Sequence, residues 1–166
     1  MRIPEELRIV THPLSLGDPE RARAAKRGEV IHLALSLLSS PPSRRELETA
    51  LRRALSLLGE DHGAWDLEAL LRPLEALFRI PEVRAWFEAE AYPELEVVDG
   101  EGGLHRIDRV VLSGDGVEVI EYKVGQREPW HRGQVKGYVE LLRRVFPRRE
   151  VKGWLVYVDE GVVLAV

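Results

Sequence analysis

The spacing of apolar residues changes once along this chain, near Ala91. Before that point they recur at intervals of three and four, the period of helices packed on one side. Local signals divide this half into four helices. Asp18-Pro19 offers an N-cap followed by proline at the first helical position, and predicts a helix to about Leu38. Pro41-Pro42 closes that segment. Ser43-Arg44-Arg45-Glu46 is a capping box and opens a second helix to about Leu58. Trp65-Asp66 begins a third, with Trp65 and Leu70 spaced as a hydrophobic staple. Pro81 starts a short fourth helix that carries Trp86 and Phe87. Met1 to Gly17 reads as an irregular or partly extended lead-in.

Beyond Ala91 the period shortens to two. Tyr92 to Val98 reads as a strand, ended by Asp99-Gly100-Glu101-Gly102-Gly103. Leu104 to Lys123 reads as a β-hairpin, two β-branched and apolar runs around Ser113-Gly114-Asp115-Gly116. Trp130 to Val145 is a predicted helix with Pro147 as its stop. Val151 to Val158 is an apolar strand, and Asp159-Glu160-Gly161 turns the chain into a last strand, Val162 to Val166. A helical first half followed by β-β-β-α-β-β predicts an α/β fold, an α+β mixed sheet with helical cover. The length of 166 residues is that of one domain, helical over 1–90, with the sheet core and one helix over 91–166.

Composition removes several function classes. The net charge is −4, so a polyanion must be met by a local basic face or through metal ions. There is no cysteine, which excludes disulfides, thiolate zinc sites and an iron–sulfur cluster held by this chain. No apolar run approaches a membrane span and no signal peptide opens the chain, so a cytoplasmic protein is the default expectation.

The predicted hairpin carries the candidate chemistry. Asp108 lies on its first arm, Glu121 and Lys123 on its second. A turn centred on Gly114-Asp115 sets Asp108 across from Glu121; one centred on Asp115-Gly116 sets it across from Lys123. In both registers the three side chains share one face, whereas a three-residue loop breaks the arrangement. Two facing carboxylates repel unless a positive group lies between them. Magnesium or manganese suits such hard oxygen ligands, while a surface ion-pair ladder with Lys123 and Arg106 is the plainer alternative.

Four blocks, in order, resemble the RecB/AddA-type branch of the PD-(D/E)XK nuclease superfamily over about Arg21 to Tyr157. They are Gly28-Glu29-Val30-Ile31-His32, Arg106-Ile107-Asp108-Arg109-Val110, Ile120-Glu121-Tyr122-Lys123-Val124-Gly125 and Gln134-Val135-Lys136-Gly137-Tyr138. The resemblance implies a restriction-endonuclease-like αβββαβ core and a Mg2+- or Mn2+-dependent deoxyribonuclease, exonuclease or endonuclease, acting in DNA repair or recombination. It implies metal ligation by His32, Asp108, Glu121 and the backbone carbonyl of Tyr122. It makes Asp108, Glu121 and Lys123 the catalytic residues, with Gln134 and Tyr138 as DNA-binding residues. The expected partners are single-stranded DNA or DNA ends, and a helicase or other repair protein, since the chain has no Walker A loop of its own. A non-catalytic DNA-binding or scaffold module, or an RNA-directed nuclease, are the alternatives.

The chain departs from the family pattern at three points. His105 stands where glycine is common, and alternation points it away from the metal face. Glu121 replaces the usual aspartate, and Val124 replaces a threonine. Glu90, before the first strand, reads as a solvated helix end, and Trp130, one turn before Gln134, as packing or a base-stacking residue.

Overall fold

A computed structural model describes residues 18–166; the lead-in expected over Met1–Gly17 lies outside the described residues. The helices form where their caps predict. Asp18 accepts hydrogen bonds from the amides of Glu20 and Arg21, and α1 runs from Pro19 to Ser36. The Ser43/Glu46 capping box is complete and starts α2, Arg44–Leu57. A 3-10 turn at His62–Ala64 leads to α3, Leu67–Leu77, where Asp66 caps Ala69. Trp65 is partly buried against the same core as Leu70, as a staple requires. Pro81 opens α4, Pro81–Glu88, which buries Trp86 and Phe87.

Five strands follow: β1 Glu90–Val98, β2 Leu104–Ser113, β3 Gly116–Lys123, β4 Glu150–Tyr157 and β5 Val162–Ala165. They form one sheet in that order, antiparallel except for the parallel pair β3 and β4. A parallel pair needs a crossover, and α5, Trp130–Val145, supplies it. The sheet therefore has a core on each face. Helices α1 to α4 bury Ile31, Leu51, Leu71 and Phe87 against Val111, Ile120 and Val156. On the opposite face α5 buries Val135, Val139 and Leu142 against Val110, Val119 and Leu155. This explains why β3 and β4 read as nearly continuous apolar runs. The predicted mixed sheet and its αβββαβ order are thus present.

Two features of the sheet govern where its polar side chains lie. Gly153 of β4 lies directly under α5: a Cβ there would sit 2.6 Å from Val135 Cγ1 and 2.8 Å from Val139 Cγ2. The β2–β3 turn centres on Gly114-Asp115, with Ser113 paired to Gly116 and Arg109 to Ile120. Ladder pairing ends there, one step before Asp108 and Glu121. Alternation fails at the same level. Arg109 stacks its guanidinium 3.7 Å from the Phe87 ring in the first core, whereas Ile107, two residues earlier, packs in the second. On the adjoining strand Glu94 takes a positive φ of 52° between the pairs Pro93–Arg109 and Leu95–Ile107. Both strands thus kink where the carboxylates lie. Among the described residues no helix is long and apolar enough to cross a membrane.

Candidate active site

His32 is the contribution of α1. Its Nδ1 lies 2.9 Å from the carbonyl of Gly28, one turn earlier, which fixes the ring. Its Nε2 reaches the sheet, 2.9 Å from the Tyr122 carbonyl and 3.3 Å from Asp108 Oδ2. The two hairpin carboxylates are locked by backbone amides of the opposite arm. Asp108 N–H donates to Glu121 Oε1 at 3.0 Å, and Tyr122 N–H donates to Asp108 Oδ2 at 2.9 Å. Side chains thus take over at the level where the β2–β3 ladder stops. Lys123 Nζ lies 3.7 Å from Glu121 Oε2 and donates to Gln134 Oε1 on α5. Gln134 in turn donates from Nε2 to the Tyr138 hydroxyl at 3.2 Å. One polar network therefore joins His32, Asp108, Glu121, the Tyr122 carbonyl, Lys123, Gln134 and Tyr138, every residue the sequence singled out for the site.

The electrostatics show negative charge held against its preference. Burial, and then the nearby charge of Asp108, push the Glu121 carboxyl well above the usual carboxylate range. Burial works to lower the His32 pKa, but the hydrogen bond and charge of Asp108, with the Gly28 and Tyr122 carbonyls, outweigh it and raise it to about 9. Among the described residues no group of three or more His, Asp or Glu side chains is arranged as a metal-binding cluster. The donor set nevertheless suits a divalent cation: one imidazole, two carboxylates and a carbonyl oxygen, converging around paired carboxylates whose mutual repulsion a cation relieves.

A pH dependence follows, with a definite sign. His32 and Glu121 both have raised pKa values, and both must be deprotonated to act as ligands. A metal held by these two side chains would displace protons, and its apparent affinity is expected to strengthen as pH rises toward about 9. For each proton displaced, the gain is about tenfold per pH unit. Manganese titration by calorimetry at several pH values, in buffers of different ionisation enthalpy, reads both quantities. A pH-independent affinity without proton release would exclude His32 and Glu121 as ligands.

Sequence reasoning missed three participants. Asp159, read only as a turn residue, bonds both terminal nitrogens of Arg27 and accepts from the Gly125 amide at 2.9 Å. Gly125 has φ +90°, a conformation glycine adopts without strain. Asp159 thus ties the turn after Lys123 to the helix that carries His32. Glu94 is the second. Burial and the charge of Asp108 raise its pKa, while Glu90, the strand-start acid, is exposed and accepts from the Tyr92 hydroxyl. The third is His105. Alternation predicts that it faces away, but beyond the kink its ring lies 6.1 Å from that of Tyr138, and its Nε2 lies 2.7 Å from Asp99 Oδ2. No local signal marks Asp159 or Glu94, because each meets its partners through the packing of other elements.

A helix-borne histidine, two hairpin carboxylates and a lysine on an αβββαβ core are the features of a nuclease fold, and residues 5–163 match the PD-(D/E)XK nuclease superfamily. The chain belongs to that superfamily. It is also 28% identical, over 178 aligned positions, to an ATP-dependent helicase/nuclease subunit from Pelotomaculum thermopropionicum. That alignment covers 90% of this chain and 14% of the relative. The similarity agrees with the RecB/AddA-type character of the four sequence blocks.

Proposed function

We propose that this chain is a divalent-metal-dependent deoxyribonuclease that hydrolyses phosphodiester bonds in single-stranded DNA or at DNA ends, in repair or recombination. The observation that carries the reading is the continuous contact from His32 through Asp108 and Glu121 to Lys123. His32, Asp108, Glu121 and the Tyr122 carbonyl would hold magnesium or manganese. Such an ion, when bound, lowers the pKa of a water and polarises a phosphoryl oxygen. Lys123, steadied between Glu121 and Gln134, orients the attacking water and offsets charge on the non-bridging oxygens. Gln134 and Tyr138 line the path of the strand on α5. The relative's name joins a helicase to a nuclease, and by analogy a motor protein would deliver the strand to this site in the cytoplasm.

Labelled single-stranded DNA, duplex DNA and RNA, each with magnesium, manganese or chelator, test the proposal. The expected result is metal-dependent cutting of DNA, fastest on single strands or frayed ends, and none with chelator. DNA binding without cleavage under any metal would replace the nuclease by a scaffold module. Preferential cutting of RNA would overturn the substrate.

A further inference from the structure

Three of the four tryptophans are folded into the protein. Trp86 is buried, and the half-buried Trp65 and Trp154 donate their indole N–H groups to Glu60 and Glu118. Trp130 differs: it is 58% exposed, at the first residue of α5. Its backbone is nonetheless anchored. The next residue, His131, is buried, with Nδ1 3.3 Å from the Tyr157 hydroxyl. The loop between Lys123 and Trp130 is tied down by Gly125 to Asp159 and by Arg127, which bonds Glu160 and lies 4.7 Å from the Tyr157 ring centroid. The result is an indole displayed on a held backbone, with Lys123 Nζ 5.0 Å from its ring centroid.

The neighbouring surface of α5 is open. Gly133 and Gly137 follow Trp130 at helical spacing on the flank that bears Gln134 and Tyr138, and a Cβ at either glycine would meet nothing within 4 Å. Glycine inside a helix is unfavourable relative to alanine, and the packing of this chain calls for neither. Positive charge borders the open flank: Lys123 lies beside the ring, and the exposed Lys136 follows Gly133 at i+3.

We propose that Trp130 is the stacking platform for an unpaired nucleobase of the substrate strand, next to the phosphate that Lys123 faces, with the strand continuing along α5 over Gly133 and Gly137. This rests on the nuclease function proposed for the chain and adds to it a base subsite. Every nucleobase offers a π face, so the subsite tolerates any sequence. A base inside a duplex has both faces covered by its neighbours, so only a single strand or a frayed end can occupy it. Trp130 is thereby the residue that makes the enzyme prefer unpaired DNA. The sugar–phosphate backbone supplies the negative charge that Lys123 and Lys136 complement.

The test uses the full chain with a short labelled thymidine oligonucleotide. Binding is measured in calcium, a hard cation of similar ligand preference, and cleavage in magnesium. Trp130→Ala is expected to weaken single-strand binding about tenfold, equivalent to about 1.4 kcal/mol. KM rises by a similar factor, kcat changes little, and duplex binding is unchanged. Trp130→Phe retains most of the affinity, which separates stacking from a general disturbance of α5. Abasic sites are then placed one position at a time. One of them reproduces the loss in the wild-type protein and adds nothing in Trp130→Ala. If Trp130→Ala binds like the wild type, or if every abasic position adds to its defect, the subsite is refuted while the nuclease function stands. A wild-type chain that neither binds nor cuts nucleic acid refutes both.

Discussion

Lys123→Ala lowers kcat on single-stranded DNA by about a thousandfold, the upper end of what one positioned charge-stabilising donor contributes. The lysine's surroundings give the reason. Its side chain is only 14% exposed, set between the buried Glu121 carboxyl and the Gln134 carbonyl oxygen. That ammonium is the cation the hairpin places beside Glu121. Removing it takes a positive charge from the phosphate and from Glu121 together. Glu121 already titrates high because of burial and Asp108, and loss of Lys123 pushes it higher. The residual activity of the variant therefore rises at higher pH than that of the wild type. KM is expected to change less than kcat, since the proposed strand path continues along α5 beyond Lys123. Asp108→Ala removes the contact shared by His32 and the Tyr122 amide, and is expected to abolish both cleavage and metal uptake. Single-turnover cleavage assays, with thermal melts to show that both variants fold, check the pair. Wild-type rates in both variants would sink the site assignment.

Gly153→Val is expected to destabilise the protein by about 3 kcal/mol, at the upper end for overpacking, and Gly153→Ala by about 1–2 kcal/mol. The first Cβ already meets Val135 Cγ1 at 2.6 Å and Val139 Cγ2 at 2.8 Å. Neither valine can yield easily, because β-branched side chains in a helix have one strongly preferred rotamer. The helix itself must move away from the sheet. That movement carries Gln134 and Tyr138 away from Lys123, so catalysis falls in molecules that remain folded. Urea denaturation reads the stability loss, and for a domain of this size about 3 kcal/mol lowers Tm by roughly 6–12 °C. Val139→Ala in the Gly153→Ala background makes room and should restore part of both quantities. An unchanged midpoint in Gly153→Val would show that α5 does not sit on β4.

Lys123 and Gly153 differ in how far the sequence announces them. Lys123 was legible because three signals coincide: β-branched arms around a turn, two carboxylates on them, and motif blocks before and after in family order. Gly153 was not. A glycine in an apolar strand announces close approach of something, but only the fold identifies α5 as what approaches. His105 shows the limit of periodicity from the other side. Alternation assigns a face only while a strand stays regular, and β2 and β1 both break step at Asp108 and Glu94.

The sequence by itself determined the elements and their order, and it singled out the residues that the fold brings into one polar network. Caps, staples and tight turns are contacts between near neighbours, so the residues that make them are adjacent in the chain. Only the tertiary structure decided how the pieces meet. The two two-residue turns differ by a slip of two positions, which leaves every side chain on its own face, so burial patterning cannot choose between them. In the fold, pairing of Ser113 with Gly116 brings Asp108 level with Glu121, and the Tyr122 amide and carbonyl then meet Asp108 and His32. Asp159 likewise acquires its role only when the β4–β5 turn comes to lie beside Arg27 and Gly125. These contacts join residues far apart in sequence, and no local propensity encodes them. They arise because the helices on one face and α5 on the other both dock on the same pair of strands.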